Sequence, residues 1–136
     1  DHRRAAEQLV GLDQRAGLVA VQPRHHDVDE DDIRLVVGDI EETLPDFLSG
    51  IRRIDFAFID ANHRYEPTLR YFEWLLKKIH AKSVLVIDDI HYSPEMERAW
   101  QNIRDHRLVY GSADLFRSGI LFFDPSLNKQ HVILQV

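Results

Sequence analysis

Asp60, His63, Asp88, Asp89 and His91 are the residues of this chain whose types and spacing could do chemistry. Asp60 closes the apolar run at 54–59, and Asp88 and Asp89 close the run at 83–87. Near-continuous Val, Ile, Leu and Phe is what a strand covered on both faces needs. In an open α/β sheet, ligands bind beyond the carboxyl ends of such strands. The three carboxylates are therefore expected on one rim, with His63 and His91 two or three residues after a strand-end acid. Hard oxygen ligands from two strand ends suit Mg²⁺, Mn²⁺ or Ca²⁺. Carboxylates so close repel one another unless a cation or a shared proton relieves them. Imidazole adds a general base for a hydroxyl, or a nitrogen ligand suited to Zn²⁺, Mn²⁺ or Fe²⁺. The bland alternative is that the acids cap helices and the histidines are polar loop residues.

The elements that must position these groups alternate. Ala5, Ala6, Leu9, Val10 and Leu12 predict an amphipathic helix over 2–16. Residues 17–32, with Pro23, His25, His26 and an acid run from Asp27 to Asp32, predict a solvated loop. A calcium loop fails for want of the required Gly and distal Glu. A strand is expected at 33–37, ending at Gly38 and Asp39, then a helix over 41–48 with acids in its first turn. Asp39 suits either an N-cap or an acceptor for an amine donor. A strand at 54–59, a helix over 64–79, a strand at 84–87 and a helix over 94–105 follow. Ser93 and Pro94 form the start signal of that last helix. Trp74 and Trp100 are expected in the core, and Tyr65 and Tyr92 either pack or line a pocket. Three β-like segments, 108–110, 120–123 and 132–136, end the chain. The turn chemistry at 124–128 predicts a hairpin between the last two.

The 136 residues are about one domain's worth, 1–136, and a net charge of −6 argues against general nucleic-acid binding. The absence of cysteine removes disulfide and thiolate chemistry. No apolar run approaches the ~18 residues of a membrane span. A cytoplasmic protein is the expectation, and an oligomer is compatible with the sequence.

Taken in order, Leu35–Val36–Val37–Gly38–Asp39, Asp55–Phe56–Ala57–Phe58–Ile59–Asp60–Ala61–Asn62–His63–Arg64–Tyr65 and Val84–Leu85–Val86–Ile87–Asp88–Asp89–Ile90 resemble class I S-adenosylmethionine-dependent methyltransferases. The resemblance is to the small-molecule O-methyltransferase-like members. It implies an α/β, Rossmann-like parallel sheet with an antiparallel C-terminal hairpin. It implies S-adenosylmethionine as cofactor, with Asp39, Ile40 and Asp60 toward it, Asp39 at the adenine amine. Asp60, His63 and His91 would be catalytic, and Asp60, Asp88 and Asp89 would hold a divalent cation. In metal-dependent members the second paired position is often Asn, where this chain has Asp89. A small molecule would be the methyl acceptor. The family's Gly-rich E/D-x-G-x-G turn is missing: the six glycines, at 11, 17, 38, 50, 111 and 119, form no G-x-G. The chain is thus expected to be a C-terminal portion, incomplete at its N-terminus. Residues 1–14 would match the helix after the second strand. The 33–37 strand should lie apart from 54–59, and the piece alone should bind cofactor weakly.

Two rival readings share these residues. One is a non-catalytic α/β assembly module that has lost its cofactor turn. The other is a metal-dependent hydrolase using Asp60, Asp88 and Asp89 with a metal-bound water.

Overall fold

The computed structural model describes residues 8–10, 18–23 and 34–134. In chain order these form β1 (Gln8–Val10), β2 (Leu18–Pro23), β3 (Arg34–Val36), α1 (Ile40–Ser49), β4 (Ile54–Asp60) and α2 (Tyr65–Leu76). Then come β5 (Val84–Ile87), α3 (Pro94–Arg104), β6 (Gly111–Asp114), β7 (Gly119–Phe122) and β8 (Gln130–Ile133). The strands join in one sheet of order β3-β1-β2-β4-β5-β7-β6-β8. β4 and β5 pair in parallel at its centre, as expected. β3 runs in the same direction as β4 but is separated from it by β1 and β2.

Three expectations are corrected. The helix over 2–16 is broken by strand β1, because Leu9 and Val10 are taken into the ladder between β2 and β3. The rest of that segment lies outside the described residues. The loop over 17–32 contains β2, whose Leu18–Val19–Ala20–Val21 run pairs antiparallel with β4. The acid run and His25–His26 lie outside the described residues. The C-terminal hairpin is β6–β7, not the last two segments, and β8 pairs in parallel with the outer edge of β6. The 124–128 turn does form, with Leu127 N–H donating to the Asp124 carbonyl at 3.0 Å. It carries the chain past β7 to the far side of β6.

Local chemistry explains the helices. The Asp39 carboxylate accepts from Glu41 N–H at 2.8 Å and caps α1. Ser93 Oγ accepts from Met96 N–H at 3.1 Å and caps α3, with Pro94 in its first turn. Each helix buries one stripe: Ile40, Leu44, Phe47 and Leu48; Thr68, Tyr71, Phe72 and Leu75; Met96, Ala99, Trp100 and Ile103. These meet Ala57, Ile59, Leu85, Ile87 and Leu121 of the sheet. Each fully buried large side chain contributes roughly 1.5–3 kcal/mol, so this face is the main source of stability. Trp100 lies in that core, and Trp74 packs against its edge. Gly119 is required where it stands, because a Cβ there would fall on the Trp100 indole.

One level row of partners crosses the sheet: Val36, Val10, Val19, Ile59, Ile87, Gly119, Asp114 and Ile133. Asp39, Asp60 and Asp88 all follow it by one to three residues. The register therefore brings the strand-end acids to one rim.

His131 ties β8 to its neighbours. Arg104 has only donors, so at 2.8 Å it must donate to His131 Nε2. Nδ1 then carries the proton and donates to Ser112 Oγ at 2.7 Å. Burial, and then the Arg104 charge, hold this imidazole below its ordinary value. The unfolded chain takes up the proton near pH 6.5, and the folded chain only below that. The His131 contribution is thus retained above about pH 6.5 and lost as pH falls from there through the lowered folded value. In urea unfolding between pH 5 and 8, His131→Asn should remove part of the stability lost on acidification. An unchanged or steeper slope would contradict this assignment.

Candidate functional site

At the rim, His63 stands between two carboxylates. Its Nε2 lies 3.1 Å from Asp60 Oδ1 and 3.2 Å from Asp89 Oδ2. Ionised carboxylates only accept, so Nε2 carries a proton shared between them. The three atoms lie within 4.8 Å of one another, and all three residues are partly exposed. A cation taking the place of that proton would meet one nitrogen and two oxygens. Without one, Nε2 stays the donor, and the ring's lone pair is on Nδ1, the nitrogen that can take a proton from a hydroxyl brought to the rim.

The backbone accepts strain to build this. Asn62, His63 and Asp89 have φ of 63°, 43° and 54°. Asn, Asp and His tolerate the left-handed region better than other non-glycine residues. Such outliers persist only where the surroundings over-determine them. Here Asn62 Nδ2 donates to Tyr71 Oη at 2.6 Å, and Tyr71 Oη donates to Glu41 Oε1 at 2.9 Å. Arg70 grips Glu41 with two bonds of 2.9 Å. The Arg70 bonds, against some burial, hold the Glu41 carboxyl below its ordinary value. Burial, chiefly, pushes the Tyr71 phenol up to about 12. The network thus braces the 61–64 loop against α1 and α2.

The other sequence candidates are placed differently. Asp88 is buried and accepts from Ser118 Oγ, with Arg117 Nε 3.6 Å from its Oδ2. Arg117 Nε also lies 3.5 Å from Asp89 Oδ1 and offsets both charges. Both nitrogens of His91 are engaged, Nδ1 with Glu97 at 3.1 Å and Nε2 with buried Asp114 at 2.7 Å. Burial works to lower His91, but the hydrogen bonds to Asp114 and Glu97 outweigh it and hold it above its ordinary value. Asp39 is exposed on the same rim, and Glu41 N–H is its described side-chain partner. Ile40 is 1% exposed, backbone included, and packs in the core.

Sequence reasoning does not reach five residues of the site: Asn62, Tyr71, Asp114, Arg117 and Ser118. Asn62 carries a signal, an Asn directly before His63 in a strand-end turn. The other four come from α2 and the β6–β7 hairpin, and their approach depends on tertiary pairing.

The family model described as a methyltransferase domain matches residues 1–90. No curated protein matches the chain. Among solved structures, a calicheamicin methyltransferase is similar at 24% identity and a TM-score of 0.51. That likeness covers 66% of this chain and 37% of the other, so the chain spans well under half the length of that relative. It supports the fold: an α/β sheet with a parallel centre and antiparallel strands.

If the brace is what holds the left-handed loop, Tyr71→Phe should cost roughly 1–3 kcal/mol in urea unfolding, since it strands the Asn62 amide and leaves Glu41 Oε1 with its Arg70 bond alone. A neutral change would show that the loop does not depend on it.

Proposed function

This chain belongs to the methyltransferase-domain family, and from that membership we propose that it serves methyl transfer from S-adenosylmethionine to a hydroxyl of a small-molecule acceptor, assisted by a divalent cation. The observation that carries the reading is the convergence of Asp60, His63 and Asp89 at the ends of two parallel strands. Two carboxylates and one imidazole suit a hard or borderline cation: Mg²⁺, Mn²⁺ or Ca²⁺.

Asp39 fits an amine donor such as that of adenine. It is an exposed, acceptor-only carboxylate at the end of β3, on the same rim as the cluster. Ile40, in the core directly after Asp39, would hold that carboxylate in place, and Asp60 would face both cofactor and acceptor. When bound, S-adenosylmethionine supplies an electrophilic methyl group and the cation supplies positive charge to an acceptor oxygen.

The residues of the chain do the positioning. Asp60 and Asp89 orient the acceptor so that its oxygen can lie in line with the methyl group, and they are the carboxylates that would hold a cation beside it. His63 takes the hydroxyl proton on Nδ1 while its Nε2–H is held by Asp60 and Asp89; a cation held by Asp60, Asp89 and His63 would supply positive charge that makes the hydroxyl easier to deprotonate. His91 acts as a positioning residue, because both its nitrogens are committed to Glu97 and Asp114. Asp88 holds the 115–118 turn. The hydrolase and assembly readings would use the same rim without a methyl donor.

Incubation with methyl-labelled S-adenosylmethionine and a panel of hydroxyl acceptors tests this directly. Label should reach an acceptor, EDTA should slow transfer, and His63→Gln should lower the rate by about 10²–10⁴-fold. Failure to label any acceptor, with cation present, would favour the assembly module.

A further inference from the structure

We propose that the β6–β7 turn is an acceptor-recognition element, and that Phe116, together with Tyr92, selects acceptors carrying a flat aromatic ring. The proposal deepens the methyl-transfer reading and rests on it for the word acceptor. Among the described residues, Phe116 and Tyr92 are the two most exposed large apolar side chains, at 79% and 70%. Both border the same rim. The Tyr92 ring lies 5.5 Å from that of His63, and the Phe116 ring 6.0 Å from that of His91.

Phe116 also sits at φ 72°, a region that a bulky side chain avoids. Its ring regains little by burial, so its own packing does not explain the strain. The turn is nevertheless held firmly. Asp114 Oδ1 accepts from Phe116 N–H at 2.8 Å, and the Ser118 carbonyl accepts from Leu115 N–H at 2.9 Å. The Arg117 carbonyl accepts from Ile90 N–H at 3.0 Å, and Ser118 Oγ donates to Asp88. Four bonds thus hold an apolar ring out in solvent, next to Arg117, whose Nε lies 3.5 Å from Asp89. Two aromatic faces beside a base and two carboxylates suit a planar ring that bears a hydroxyl: the ring stacks and the hydroxyl reaches His63.

The test is equilibrium binding of 2-naphthol and of its saturated counterpart, decahydro-2-naphthol, followed by ligand-observed NMR without methyl donor. The chain should prefer 2-naphthol. Phe116→Gly should weaken 2-naphthol about three- to tenfold, the worth of an aromatic pair, and leave the saturated alcohol unchanged. Tyr92→Ala should act in the same direction. Because glycine accepts the left-handed backbone, Phe116→Gly should also unfold at higher urea. No preference for the aromatic alcohol, a preference that survives both substitutions, or a less stable Phe116→Gly would each overturn the proposal. Because no methyl donor is present, loss of ring preference leaves the transfer reading standing. Ring preference in a chain that labels no acceptor would instead count against transfer alone.

Discussion

The in-register parallel pairing of β4 with β5 is the constraint on which the rest of the molecule depends. Ile59 opposite Ile87 sets Asp60 level with Asp88, and Asp88 N–H bonds to the Ile59 carbonyl at 2.9 Å. A slip of one residue between them would turn the apolar side chains of one strand out of the core and send its strand-end acid to the opposite face. The apolar face that fixes register for stability therefore also fixes the spacing of the rim. Core and site share one determinant.

Bringing carboxylates together has a cost, and the surroundings offset it. His63 offers one N–H to Asp60 and Asp89, Ser118 donates to Asp88, and Arg117 lies within 3.6 Å of both neighbouring acids. Three left-handed residues give the loops the curvature needed for these contacts. The Asn62–Tyr71–Glu41–Arg70 chain of bonds ties that curvature to two helices. The rim is thus a polar cluster supported from below by the sheet and from the side by α2. That arrangement suits chemistry better than stability.

Much of this was legible in the residues. The runs at 54–59 and 83–87 are long, apolar and end in acid, so strand, direction and rim followed from composition alone. Ser93–Pro94 and Asp39 announced their helices, and both are caps. What failed had weak local signals. Leu9 and Val10 fit a helical stripe as well as a strand, and only pairing with β2 and β3 decides between them. Gly111–Ser112–Ala113–Asp114 has almost no β preference, so local signal points to a strand at 108–110 instead and to a hairpin between the last two segments rather than β6–β7. The missed hairpin hid Asp114, Phe116 and Arg117, which reach the rim only because β7 closes on β5.

The central claim is that Asp60, His63 and Asp89 act as one cation site. Calorimetric titration of Mn²⁺ into the chain and into Asp60→Asn, Asp89→Asn and the double variant tests it most directly. The account predicts one site, weakened by either substitution, with the double variant losing much less than the sum of the two, as expected for ligands of a shared ion. Absence of binding to the parent chain, or fully additive losses, would contradict it.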